Sequence, residues 1–218
     1  MTPSAIPVSA DGHELVGLVA ALPAGGRTLL GITGAPGAGK STLAAHLAAA
    51  AGAVVVPMDG FHLADVELVR RGLRDRKGAP ETFDAWGYAA LLARLRAETA
   101  HEVLAPAFER GLEQPLAGAI TVPASATLVV TEGNYLLLDE PPWRAVRDQL
   151  DAVWHVVTDD AVRLQRLVAR HETFGKAPDH ARDWVDRVDQ PNARLVEAAA
   201  ARADVRLDLT GWRPGPVS

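Results

Sequence analysis

Residues 34–41 read Gly34-Ala35-Pro36-Gly37-Ala38-Gly39-Lys40-Ser41, a full match to the pattern G-x-x-x-x-G-K-[ST]. The glycines let the backbone curl until its N–H groups converge on phosphate oxygens. A helix that starts directly after such a loop turns its positive end toward the same anion. Lys40 can reach the β- and γ-phosphates of a nucleoside triphosphate, and the Ser41 hydroxyl can ligate Mg2+. An ordinary glycine-rich turn with a chance lysine is the alternative. An apolar run before the loop and a helical pattern after it favour phosphate binding. The motif identifies a nucleotide and leaves the reaction open.

Two carboxylates and a row of arginines narrow the chemistry. Asp59 stands in Met58-Asp59-Gly60-Phe61-His62-Leu63, directly after an apolar run. A carboxylate at the C-terminal end of a strand, on the sheet edge that carries the phosphate loop, can approach a γ-phosphate. There it can take a proton from an attacking hydroxyl or hold Mg2+. An Asp–Gly turn would explain Asp59 alone; beside the phosphate loop the catalytic reading is preferred. Glu132 ends the run Val129-Val130-Thr131 and is placed to hold Mg2+ directly or through water. Gly133 behind it implies that something approaches the backbone closely. Arg163, Arg166 and Arg170 follow at i, i+3 and i+7 on a helical pattern, within one arc of its surface. Such a row suits a solvated basic face or the charge that develops on a transferring phosphoryl group. His62, Arg76, Lys77, Phe108, Arg110, Tyr135 and Asn192 are candidates for holding an acceptor. His46 and His155 read as structural, and Trp86, Trp143, Trp154 and Trp184 as packing anchors. The absence of cysteine and of paired histidines at a metal-binding helical spacing argues against a zinc site.

These residues need strands to carry them and helices to cover the strands. Apolar or β-branched runs at 28–33, 53–58, 127–131, 152–157 and 205–209 read as strands. Helical patterns occupy 40–51, ended by Gly52, and 88–100 with Leu91, Leu92 and Leu95 on one face. Asp159 or Asp160 caps another to about His171, and a further helix spans 181–188 before Pro191. Strands without polar alternation, interleaved with helices, argue for a parallel sheet covered on both faces. The Arg-, Lys-, Gly- and Pro-containing stretch 70–84 reads as a mobile loop of the kind that carries function.

The chain has 218 residues, 48% hydrophobic and 22% charged, with a formal net charge of -5. A nucleic-acid binder would normally carry a basic surplus, so a nucleic-acid partner is not expected. With no cysteine, disulfides and a catalytic thiol are excluded, which fits a reducing compartment. No stretch reaches the ~18 apolar residues of a membrane span. The first apolar run, at 15–22, follows Asp11 and Glu14 rather than a basic segment. The expectation is a cytoplasmic protein with no membrane partner.

Taken together, the phosphate loop, the Asp after the second strand and the Glu132-Gly133 pair resemble the phosphate-loop kinases that include uridine kinase, bacterial-type pantothenate kinase and phosphoribulokinase. The resemblance runs from about residue 28 to 209. It implies an α/β fold with a doubly wound five-stranded parallel sheet and a lid. It frames 1–218 as one kinase domain, with an N-terminal helical extension at 1–26, a substrate-side loop at 70–84 and a lid region at 160–180. It also implies ATP- and Mg2+-dependent phosphorylation of a small-molecule hydroxyl. By position, Gly34 through Ser41 and Thr42 would cradle ATP, and Asp59 would be the general base near Mg2+. Glu132 matches the acid near the metal, beside Ser41 and Asp59, and Arg166 and Arg170 look like lid arginines acting with Lys40. Segments 58–63, 76–84 and 132–138 are similar to a subgroup labelled variously as pantothenate kinase-like, nucleoside kinase-like or fructose-transport-system kinases. The Asp59-Gly60-Phe61 sequence is more like pantothenate kinase, since uridine kinases usually carry Asp-Ser-Phe-Tyr there. The acceptor stays open among a nucleoside, a sugar such as fructose, and pantothenate, with 70–84 and 105–113 flanking it. An NTP-hydrolysing switch is the alternative, although no Asn-Lys-x-Asp guanine-reading segment occurs. A homodimer is the commonest assembly for such a protein.

Overall fold

The computed structural model describes residues 4–214; the first three and last four positions of the expected 1–218 domain lie outside the described residues. In chain order the elements are β1 (Ile6–Pro7), α1 (His13–Ala20), β2 (Thr28–Gly34), α2 (Lys40–Ala51), β3 (Val54–Val55), α3 (Asp65–Arg71) and α4 (Ala85–Ala97). They continue with β4 (Val103–Glu109), β5 (Gln114–Val122), β6 (Leu128–Glu132), α5 (Pro141–Arg147), β7 (Ala152–Val157), α6 (Asp160–Thr173), α7 (Pro178–Trp184), α8 (Gln190–Ala199) and β8 (Val205–Asp208).

Every residue of β2 and β6 is buried, as their unbroken apolar runs require of central parallel strands. The main sheet has the order β1-β8-β7-β2-β6-β3, with all pairs parallel. One face packs Leu29, Val56, Tyr88, Leu92, Tyr135 and Trp143, and the other packs Leu30, Ile32, Leu43, Leu47, Trp154 and Trp212. The chain leaves β2 toward β3 on one side and returns through β7 on the other, which opens a crevice at the C-terminal strand ends. Helix ends are set locally. Gly52 closes α2 in a left-handed conformation, and the Asp159 carboxylate caps α6 by accepting from the N–H groups of Ala161 and Val162.

Several expectations are corrected here. The sheet has six strands rather than five, because the N-terminal region expected to be purely helical supplies β1, which pairs with β8 through Ile6 and Leu207. The strand expected at 53–58 is short and passes into a 3-10 turn, Met58–Phe61. Residues 70–84, expected to be a loop, hold the end of α3 and two 3-10 turns, Arg74–Arg76 and Pro80–Thr82. The Gly78 N–H donates to Thr82 Oγ1 at 3.0 Å, and the Tyr135 hydroxyl donates to the Gly78 carbonyl. The antiparallel hairpin β4–β5, with its irregular register at Ala105/Ala107, was not anticipated. The helix expected at 181–188 is divided between α7 and a π-turn, Val185–Asp189. Trp143 and Trp154 are core residues and Trp184 is partly buried, but Trp86, expected as a packing anchor, is 61% exposed. Among the described residues, no helix is long and apolar enough to cross a membrane.

Arg27 fastens the far end of the sheet. Buried just before β2, its guanidinium donates to the carbonyls of Ala126 (3.0 Å), Leu95 (2.9 Å), Glu98 (3.3 Å), Pro123 (2.9 Å) and Ala124 (3.2 Å). It therefore satisfies the C-terminal carbonyls of α4 and the turn leading into β6. Replacing it with methionine leaves these acceptors without a buried donor. The expected cost is about 3 kcal/mol, read as a drop in thermal midpoint of roughly 6–12 °C for a chain of this size.

Candidate active site

The phosphate loop joins β2 to α2, with Gly37 and Gly39 at φ 80° and 102°. Lys40 is buried at the start of α2, and its Nζ donates to the carbonyls of Gly34 (3.0 Å) and Ala35 (3.1 Å). Burial takes its ammonium down to about 8 despite the opposing pull of Glu132 and Asp59. Thr158 holds the loop from outside by donating to the Ala38 carbonyl at 2.8 Å.

Glu132 lies at the tip of β6, paired in register with Ile32 of β2. The Ser41 hydroxyl donates to Glu132 Oε1 at 2.9 Å. Burial, and secondarily the nearby Asp59, pushes the Glu132 carboxyl up, while Lys40, Ser41 and Arg110 work the other way. Asp59 sits across from it on the 3-10 turn that follows β3. Thr131 Oγ1 donates to the Val56 carbonyl at 2.6 Å, tying the two strand ends together. The close approach implied by Gly133 is Met58, whose Cβ lies 2.5 Å from where a Gly133 Cβ would stand. On the far side, a Cβ at Gly60 would come within 2.4 Å of the Pro106 carbonyl oxygen. The Asp59 turn is thus pressed between β6 and the hairpin.

The seven acceptor candidates and the arginines sort unequally. His62 Nδ1 donates to the Asp59 carbonyl at 2.9 Å, and its ring packs, tilted, against those of Phe83 and Phe108 with centroids 4.0 and 4.8 Å away. Burial lowers its pKa. Lys77 pairs with Asp65 at 2.7 Å, donates to the Glu113 carbonyl and lies over the Phe108 ring. Asn192 is buried and donates to the Gly78 carbonyl at 3.4 Å. All of these line one cavity of about 480 Å³ beside Asp59 and Glu132. Tyr135 does not line it; fully buried, it props Gly78 from beneath. Arg76 is also absent from it, being paired with Glu81 at 2.6 Å and facing a separate cavity near Trp86. A second cavity of about 510 Å³ opens over Gly37, Gly39, Lys40, Ser41 and Thr42, with Arg166, Arg170, Leu209, Trp212 and Arg213 around it.

The arginine row is not uniform. Arg163 is buried: it pairs with Asp160 at 3.0 Å and donates to the Pro36 carbonyl at 3.3 Å and to Gln190 Oε1 at 2.6 Å. It supports the loop from behind, whereas Arg166 and Arg170 face the cleft. His46 meets Trp212 edge-on at 5.4 Å. His155 is wholly buried in β7 with both ring nitrogens lacking a hydrogen-bond partner. Burial takes it down to about 4, so its 3.5 Å approach to Glu197 is not an ion pair at neutral pH.

Sequence reasoning missed one wall of the acceptor-side cavity: Phe174, His171, Lys176, Trp184 and Asp189. His171 Nε2 lies 2.8 Å from Asp189 Oδ2, and Lys176 lies over Trp184 at 4.7 Å. The available signal was the abrupt density of charged and aromatic residues after α6. It was obscured because the π-turn breaks the 3.6-residue period.

Gly60→Ala should push the hairpin off the Asp59 turn. The expected outcome is a loss of about 1–3 kcal/mol, together with faster amide hydrogen exchange across 103–122, while the exchange of β2 and β7 stays as in the parent.

Comparison with known proteins places this geometry. The model of the Phosphoribulokinase / Uridine kinase family matches residues 29–210. A Schizosaccharomyces pombe protein named "Putative uridine kinase C227.14" is 34% identical over 194 residues, covering 83% of each chain. The Escherichia coli protein YggC is 31% identical over 191 residues, covering 84% of this chain and 78% of its own. Among solved structures, a "putative fructose transport system kinase" from Silicibacter sp. TM1040 superposes with a TM-score of 0.80 at 41% identity, over 88% of this chain and 95% of the other.

Proposed function

Because the chain belongs to the Phosphoribulokinase / Uridine kinase family and is therefore a P-loop phosphotransferase, we propose that it transfers the γ-phosphoryl group of ATP to a hydroxyl of a small, neutral, hydroxyl-rich acceptor. The observation that carries this reading is the meeting of the Lys40 loop with two carboxylates, Glu132 hydrogen-bonded to Ser41 and Asp59 opposite, beside a separate cavity large enough for an acceptor. A switch that only hydrolyses nucleotide has no need of that second chamber.

In this reading Gly34, Ala35, Pro36, Gly37, Ala38, Gly39, Lys40, Ser41 and Thr42 cradle the triphosphate. The acceptor oxygen attacks the γ-phosphorus and its proton passes to Asp59. The bond to the β-phosphate oxygen breaks with its electron pair leaving on ADP. Lys40, Arg166 and Arg170 meet the charge spread over the phosphoryl oxygens. The Ser41 hydroxyl and the Glu132 and Asp59 carboxylates form an all-oxygen donor set that suits a hard divalent cation. Mg2+ held there would neutralise charge on the β- and γ-phosphates.

The acceptor wall supports the choice of substrate class. Of its lysines, Lys77 is engaged by Asp65 and the Glu113 carbonyl, Lys176 lies over the Trp184 ring, and Lys40 donates to the Gly34 and Ala35 carbonyls. The uncharged lining groups His62, Asn134, Asn192 and the Phe108 ring suit hydroxyls and apolar faces. A sugar or a nucleoside fits this better than carboxylate-bearing pantothenate. The names of the relatives, a fructose transport system kinase and a uridine kinase, point the same way.

Asp59→Asn should lower kcat by roughly 10²–10⁴-fold with ATP binding retained; near-normal turnover in that variant would remove Asp59 as the base. A second outcome concerns pH. Phosphate binding favours charged Lys40, whose free-protein value is about 8. ATP affinity should therefore fall as pH rises through that value, approaching about tenfold per unit, with proton uptake on binding. Calorimetric titrations between about pH 7 and pH 9.5 in buffers of different ionisation enthalpy measure both. An affinity that stays flat to pH 9 would contradict the role given to Lys40.

A further inference from the structure

The two cavities share a boundary. Lys40, Ser41, Arg110, Arg170 and Phe174 line both, so a phosphoryl group crossing from nucleotide to acceptor passes among these side chains. Lys40 and Ser41 come from the phosphate loop, and Arg170 and Phe174 from the end of α6 and the residue after it. Arg110 alone among them comes from the separate two-stranded sheet, at the turn between β4 and β5. Its Nη2 lies 3.7 Å from Asp59 Oδ2. Its guanidinium carbon stands 5.4 Å from the centre of the Phe174 ring, in cation–π range. Its charge is also felt at Glu132. The guanidinium is therefore held between the hairpin, the candidate base and the end of α6, at the boundary that the two cavities share.

We propose that Arg110 is a catalytic residue that donates hydrogen bonds to the oxygens of the transferring phosphoryl group, and is not a ligand of the acceptor. This rests on the kinase reading given above. The planar fork suits phosphate oxygens. In the structure its carboxylate neighbour is Asp59. As phosphoryl charge builds, Arg110 turns to those oxygens, leaving the carboxylate to receive the acceptor proton. No bond to Arg110 is made or broken; it supplies charge and hydrogen bonds from a third structural unit, besides the loop and the lid. Phe174 positions it by supporting the guanidinium face.

Because the Arg110 side chain is 48% exposed, Arg110→Met and Arg110→Lys should fold as the parent does. The test compares the affinity of each protein for ADP with its affinity for ADP plus aluminium fluoride, which imitates the phosphoryl group in transit, and adds steady-state kinetics with nucleoside and sugar acceptors. Arg110→Met should weaken the fluoride complex and lower kcat by roughly 10²-fold or more, with ADP affinity and the acceptor KM within about twofold of the parent, the latter because no acceptor contact is lost. Arg110→Lys should recover part of the loss, since it keeps charge without the fork. A raised acceptor KM with an unchanged fluoride complex would make Arg110 an acceptor ligand and overturn the assignment. Unchanged behaviour throughout would make it a surface residue. A parent protein that holds ADP–aluminium fluoride no tighter than ADP removes the assignment as well. Failure of the kinase reading itself shows separately, as a parent protein that yields no phosphorylated acceptor.

Discussion

A carboxylate and an ammonium are held out of water at the C-terminal ends of the central strands, and the rest of the site is arranged around that fact. Glu132 and Lys40 are both buried, and burial moves each toward its neutral form, the acid upward and the amine down to about 8. Each resists through the other's charge. Such a pair is a poor source of stability, because desolvation offsets much of its attraction. It is useful as a place for charge: an incoming polyphosphate completes interactions that the protein alone leaves half made. The parallel register of β2 with β6, pairing Ile32 with Glu132, sets the distance between the two elements and delivers the 2.9 Å bond to Ser41.

Around this pair the fold brings in side chains from units that share little sequence proximity. The sheet provides the loop and the carboxylates. Helix α6 provides Arg166 and Arg170, with Arg163 turned inward to brace Pro36. The hairpin provides Phe108 and Arg110, and the segment around Gly78 provides Lys77, held in place by Tyr135 and Asn192. Two residues expected to touch an acceptor, Tyr135 and Arg76, are thereby placed differently: one is a prop and the other faces another cavity.

What could be read from the residue order was whatever depended on local pattern. β2 and the loop declare themselves by an apolar run broken by glycines, Gly52 marks the end of α2, and Asp159 announces α6 by capping chemistry. Asp59 and Glu132 were legible because each stands at the end of an apolar run. The hairpin was hidden because Pro106 and Pro115 interrupt its strands, and proline is normally a sign against strand pairing. β1 was hidden because two residues carry no period at all. The inward turn of Arg163 depends on Pro36 and Gln190, which are distant in sequence, so a helical arc drawn from spacing alone could not distinguish it from Arg166 and Arg170.

The backbone contact between Gly60 and Pro106 has a consequence for how such an enzyme can change. The hairpin presents one wall to the acceptor, yet it abuts the same turn that carries Asp59, with no room for even a methyl group between them. Selectivity and chemistry are geared together: a new acceptor accommodated by reshaping the hairpin backbone would drag Asp59, the base proposed above, with it. Diversification is freer at side chains projecting from that hairpin, or at the opposite wall around Trp184 and Asp189, than through insertions or transplants of the β4–β5 arm itself.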